Sequence, residues 1–169
     1  MPLMPPDDFY AQLNKALLGA AAFITDPSDR VLLVKPNYRD HWLWPGGHVD
    51  EGETPDQACA RELIEELGLR LPVGRLLGVH WVPPFGDRPL PLVDFLFDCG
   101  VVPGRDGIIL QEDELDECGF FEPDEAKALM PSYLLWRLRT ALEARNRGTT
   151  YYLTGGTPGF EGGRAGQGT

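Results

Sequence analysis

The chain has 169 residues and a hydrophobic fraction of 43%, enough for one domain with a sizeable core. Its formal net charge is -11, which argues against a protein whose main task is to grip a nucleic-acid backbone, because that affinity comes from Lys and Arg neutralising phosphates. Cys59, Cys99 and Cys118 are odd in number and form no CxxC pair, so neither a zinc ribbon nor a disulfide framework is expected.

A reducing, cytoplasmic compartment is the simpler reading of those cysteines. Met1 to Tyr10 carries Asp7 and Asp8 and no basic residue, unlike a secretory signal. The longest apolar run, Leu17 to Ile24, is too short to span a bilayer.

In chain order, a Pro-rich lead passes into a short helix over Asp8 to Leu18. Ala20 to Thr25 and Arg30 to Lys35 are apolar runs separated by Asp26-Pro27-Ser28-Asp29, and they predict a β-hairpin. Trp42-Leu43-Trp44 is followed by Pro45-Gly46-Gly47, an abrupt break in the backbone. Residues 55–67 predict a helix: Thr54 caps it, Pro55 suits its first position, Gln57 completes a capping box and Gly68 stops it. Leu71 to Val82 and Pro91 to Val102 predict strands joined by the rigid loop Pro83 to Pro89. After a turn at Gly104 to Gly107 come a strand over Asp116 to Glu122, a short helix or turn over Pro123 to Leu129, and a helix over Ser132 to Arg145. Leu134, Leu135, Leu138 and Leu142 give that last helix an apolar stripe. Residues 149–154 predict one more strand, beyond which Gly dominates. Residues 1–154 are therefore expected to form one domain, and 155–169 a Gly-rich flexible tail. Strands around one strong helix, with a second helix closing the chain, suggest an α/β sandwich with a mixed sheet between helices.

On the helix over 55–67, at 100° per residue, Ala60, Leu63, Ile64 and Leu67 cluster on one side and Glu62, Glu65 and Glu66 on the other. Three carboxylates at this spacing repel and destabilise a helix unless something compensates. Water and salt are one compensation; a hard divalent cation such as Mg2+ or Mn2+ is another. Composition alone leaves both open.

The surrounding residues favour the cation. From Gly47, five positions lead to Glu53, seven more to Arg61-Glu62-Leu63, then one to Glu65-Glu66 and one to Gly68-Leu69. Chance would match such a pattern on the order of 10⁻⁶ times in a chain of this size. This run, Gly47 to Leu69, resembles the complete box of the Nudix hydrolases, and Trp42-Leu43-Trp44-Pro45-Gly46-Gly47 resembles the family's usual entry to it. The resemblance implies an α/β/α sandwich with a mixed β-sheet, carrying a loop–helix–loop catalytic motif. It implies Mg2+ or Mn2+ as cofactor, with Glu62, Glu65 and Glu66 as the metal carboxylates and Gly47 leaving its backbone free to approach the ion. Glu53 and Arg61 would form an ion pair tying the loop to the helix, and Leu63 and Leu69 would anchor it in the core.

The family's general base often lies outside the helix, and in the acidic segment Gln111 to Glu117 the candidates are Glu112 and Glu114. Charge runs of this kind are also often no more than solvated loops. For the substrate, Lys35, Arg39, His41 and Arg88 are candidates to meet phosphates, and Trp42, Trp81 and Phe85 to stack on a base. His48 and His80 are given no role. The activity implied is hydrolysis of a diphosphate linkage in a nucleoside diphosphate derivative, a small-molecule substrate. A non-nucleotide diphosphate, and a ligand-binding regulator that has lost catalysis, are the alternatives. Neither a nucleic acid nor a membrane is an expected partner; a homodimer is compatible with the resemblance.

Overall fold

The computed structural model describes residues 5–155. After α1 (Pro6–Ala11) come β1 (Leu17–Thr25), β2 (Val31–Pro36), β3 (Gly46–His48), α2 (Pro55–Leu67), β4 (Leu76–Val82), β5 (Leu92–Val101), β6 (Leu115–Phe121), α3 (Pro123–Leu129), α4 (Ser132–Arg147) and β7 (Tyr151–Thr154). The first helix is shorter than the sequence suggests, because Leu17 and Leu18 pair with Leu92 and Val93 as strand instead. The Gly-rich tail from residue 156 onward lies outside the described residues.

Two apolar faces on the same strands build the sandwich. Side chains alternate across a strand. Ala20, Ala22, Ile24, Leu32 and Val34 pack with Ala58, Cys59, Leu63 and Leu67 of α2. Ala21, Phe23, Val31 and Leu33 pack on the other side with Ala126, Leu134, Leu138 and Ala141 of α3 and α4. The sheet runs β6-β2-β1-β5-β4-β7, with β3 paired to β1 off that path. It is mixed: β1 with β5 and β4 with β7 are parallel, the remaining pairs antiparallel.

The hairpin opens almost at once. β1 and β2 are in register at Thr25 and Val31 beside a turn in which Asp26 Oδ1 accepts from Ser28 N and Arg30 N. Farther along, the segment from Leu43 to His48 enters between them. Leu43 exchanges hydrogen bonds with Val34, Ala22 N donates to Pro45 O, and Gly46–His48 pairs with Gly19–Ala21. The expected break at Pro45-Gly46-Gly47 is thus a short strand wedged into the sheet. Gly46 makes this possible: its φ is 145°, and an added Cβ would lie 2.2 Å from Ala20 O.

Helix α2 begins at the capping box formed by Thr54 and Gln57 and ends at Gly68, left-handed at φ 65°. Its buried residues are Ala58, Cys59, Leu63, Glu66 and Leu67, while Ile64 is 38% exposed. The expected apolar face is therefore rotated toward Glu66, whose carboxylate turns in to meet the backbone of β3. Truncating Leu63 to Ala should cost about 2–5 kcal/mol, and truncating Ile64 less than about 1 kcal/mol. Denaturant unfolding of both variants checks this; equal losses would refute the observed orientation.

Candidate active site

Helix α2 presents its acidic side to the wedged strand. Gly46 N donates to Glu66 Oε2 at 2.7 Å. Gly47 sits against Glu62, and a Cβ on it would fall 2.2 Å from Glu62 Oε1. Its bare Cα lets a carboxylate press against the strand backbone. Arg61 binds the loop to the helix: Nε and Nη2 donate to Glu53 at 2.9 and 3.1 Å, and Nη2 donates to His48 O at 2.9 Å. Nη1 donates to Glu62 and Glu65 at 2.8 and 2.9 Å.

The electrostatics divide these acids. The hydrogen bond from Arg61 holds Glu53 below the ordinary carboxylate range and raises Arg61 in turn. Burial pushes Glu62 up, against the pull of Arg61. Burial also pushes Glu66 to about 8, aided by repulsion from Glu62, Glu114 and Glu65, while the Gly46 N–H opposes the shift. Glu66 is buried and Glu65 half exposed, so the three helix carboxylates do not share one solvated face.

This donor set suits a hard divalent cation: anionic oxygens crowd together beside a glycine backbone, and Glu66 is short of positive charge. Among the described residues no three acidic, His or Cys side chains already form a finished cage; Arg61 draws Glu62 and Glu65 toward itself.

The segment after β5 reaches the same place by backbone contacts. Ile109 N donates to Leu67 O and Gln111 N to Glu66 O, while Asn37 N donates to Glu114 O. Both candidate bases, Glu112 and Glu114, are exposed. Glu114 acts on Glu62 and Glu66, whereas Glu112 is not among the main charges acting on either.

Strand β3 also forms one wall of a cleft of about 610 Å³ on the α4 side of the sheet. Of the sequence candidates, Arg39, His41, Phe85 and Arg88 line it. Lys35 does not; its Nζ donates to the carbonyls of Pro36 and Arg39. Trp42 is buried edge-on against Phe121, 4.9 Å between ring centres, and Trp81 alternates away from His80 and Val82, which face the cleft. Neither tryptophan is brought to the cleft.

Trp44, Asp94 and Arg137, none of them a candidate from the sequence, lie in the same walls. Asp94 was visible in principle, as an acid within a strongly apolar run. Arg137 donates to it at 2.5 Å and lies 5.0 Å from the Trp44 ring centre. His80 Nε2, beside them, donates to Gly155 O, and burial, followed by the charge of Arg137, lowers it to about 4.

With the geometry in view, the relationships are clear. A model of the NUDIX domain matches residues 15–142, and the chain belongs to the Nudix hydrolase family. It is 38% identical over 70 residues to a putative 8-oxo-dGTP diphosphatase of Bacillus subtilis, covering 41% of this chain and 47% of that protein. Diphosphoinositol polyphosphate phosphohydrolase 3-alpha of Mus musculus is 47% identical over 66 residues, 38% of this chain and 40% of that protein. The match thus spans less than half the length of these curated relatives. The crystal structure of an ADP-ribose pyrophosphatase from Streptococcus suis superposes with a TM-score of 0.62 at 25% identity, covering 83% of this chain and 98% of the other.

The raised Glu66 has a measurable consequence. A carboxyl whose folded pKa exceeds its unfolded one stabilises the fold while protonated, and that stability is lost as pH rises from about 4.5 to about 8. In EDTA, wild-type stability should fall across this window relative to Glu66→Gln, by on the order of 1 kcal/mol per pH unit. Denaturant midpoints measured at several pH values test it, and parallel profiles would contradict it.

Proposed function

We propose that this chain hydrolyses a diphosphate linkage in a nucleoside diphosphate derivative, using Mg2+ or Mn2+ held by Glu62, Glu65, Glu66 and the Gly47 backbone. One observation carries the reading: the Gly46–His48 strand that meets the acidic helix also walls the cleft. A group held in the cleft therefore delivers its phosphates to the carboxylates. Bound there, the cation would supply Lewis acidity at the phosphoryl oxygens and ease the ionisation of water.

The chain's own residues do the rest. Arg61 orients Glu53, Glu62 and Glu65 through charge-assisted hydrogen bonds. Gly46 N fixes Glu66 in one orientation. Glu114, exposed beside Glu62 and Glu66, takes the proton from the attacking water as general base. Arg39 and Arg88 meet the phosphates from the cleft walls, and Phe85, 52% exposed, offers a face for a base.

The identity to a diphosphoinositol polyphosphate phosphohydrolase raises a polyphosphorylated ring as the second reading. The cleft speaks for the nucleoside, because it presents Asp87 and Asp94 and its Arg137 is committed to Asp94. Arg39, Arg88 and Arg137 exceed those two carboxylates by one charge, which suits a diphosphate and is too little for a densely phosphorylated ring.

A panel of diphosphate compounds assayed with Mg2+, with products identified by mass, tests the reading; turnover of no member would refute it. EDTA should abolish activity. Glu66→Gln should lower kcat roughly 10²-fold or more, and near-normal turnover would remove it from the site. Glu114→Gln should cost roughly 10²- to 10⁴-fold while Glu112→Gln leaves kcat nearly unchanged. The reverse order would move the base to Glu112.

A further inference from the structure

The floor of the cleft holds an acid that is only half used. Asp94 and Asp98 lie four residues apart on β5, and each pairs with an arginine of α4. Asp98 spends both oxygens: Arg145 donates to each of them, and Gly100 N adds a bond to Oδ1. Asp94 gives Oδ2 to Arg137, and its Oδ1 makes no hydrogen bond among the described residues. The side chain is 14% exposed and lines the cleft. The space beside Oδ1 is kept open by Gly19, where a Cβ would come within 3.0 Å. Trp44 Nε1, buried in the same wall, also has no partner among the described residues. Buried polar groups are ordinarily satisfied, so these walls hold hydrogen-bonding capacity that the protein does not use on itself.

Register places this acceptor relative to the acidic box. His80 is paired with Asp94, Asp94 with Gly19, and Gly19 with His48, a row across four strands whose members all line the cleft. Strands lie about 4.8 Å apart, which sets Asp94 roughly 10 Å from His48. His48 in turn gives its carbonyl to Arg61 of the box. A ribose spans a comparable gap between a diphosphate and a base.

We propose that Asp94 is a specificity-determining residue: Oδ1 accepts a hydrogen bond from a ring N–H of the nucleoside carried on the diphosphate. Arg137 is its positioning residue, holding the carboxylate by the other oxygen while stacking on Trp44. The proposal rests on the nucleoside diphosphate reading above and gives it a contact that discriminates. An isoprenyl chain would leave Oδ1 desolvated and without a donor, and a phosphoryl group there would be repelled.

The test is calorimetric binding, which needs no turnover, of ADP, GDP, CDP and UDP against inorganic pyrophosphate with Mg2+. In Asp94→Asn the amide turns a donor toward the ring donors. GDP or UDP, whose bases carry a ring N–H, should lose about tenfold to hundredfold in affinity, while pyrophosphate changes by less than about twofold. Gly19→Ala leaves the Arg137–Asp94 pair in place and crowds Oδ1, so it should weaken the same nucleotide, in a protein of near wild-type melting temperature. Equal losses for nucleotide and pyrophosphate overturn the proposal. So does unchanged nucleotide affinity in both variants, or a wild type that binds no nucleoside diphosphate better than pyrophosphate. Failure to hydrolyse any diphosphate would instead overturn the hydrolase reading, with the binding comparison still deciding the role of Asp94.

Discussion

An added Cβ on Gly46 would lie 2.2 Å from Ala20 O, and one on Gly47 would lie 2.2 Å from Glu62 Oε1. The first is a clash with backbone that excludes a side chain, the second would push the Glu62 carboxylate off the strand, and the rest of the site hangs on both. Because Gly46 fits against β1, the chain enters the sheet between β1 and β2 instead of passing over it. Because Gly47 fits against Glu62, the acidic helix is brought up to that strand. The Gly46 N–H can then reach Glu66, and Arg61 can span from Glu53 to His48 O. Backbone packing thus gathers charges that would otherwise separate.

Such gathering is costly. Acids at helical spacing repel, and burial of Glu66 removes the water that would soften the repulsion. The protein supplies part of the compensation itself. Arg61 neutralises the more exposed members, and α2 is sealed at both ends by its capping box and left-handed Gly68. Its apolar contacts with β1 and β2 hold it in place. What remains uncompensated is concentrated at Glu66, the acid farthest from Arg61's reach.

Local patterns made much of this legible. Thr54, Pro55, Gln57 and Gly68 mark a helix by chemistry acting within a few residues, and the observed ends agree with it. The apolar runs of β1 and β2 and the turn that follows Asp26 are local in the same sense. The acidic box could be read because its residues are fixed by spacing on one loop and one helix. Three other things depend on contacts distant in sequence. Periodicity places Ile64 on the apolar face because it cannot sense that Gly46 draws Glu66 inward. Trp42 is a candidate for the substrate because an aromatic beside a box looks available until Phe121 covers it. Asp94 went unnoticed because its partner, Arg137, is 43 residues away and its openness is set by Gly19 on another strand.

The pleat of β1 separates two kinds of demand. Ala20 pairs with Gly47 and faces α2, whereas Gly19 pairs with His48 and faces the cleft. Consecutive residues of one strand thus serve the acidic box and the cleft floor, and the backbone of Ala20, Gly46 and Gly47, which also lines the cleft, joins the two. Evolution could recut the far part of the cleft, one alternate position at a time, without disturbing the carboxylates at its edge. A family built this way can keep its chemistry while its members diverge in diet.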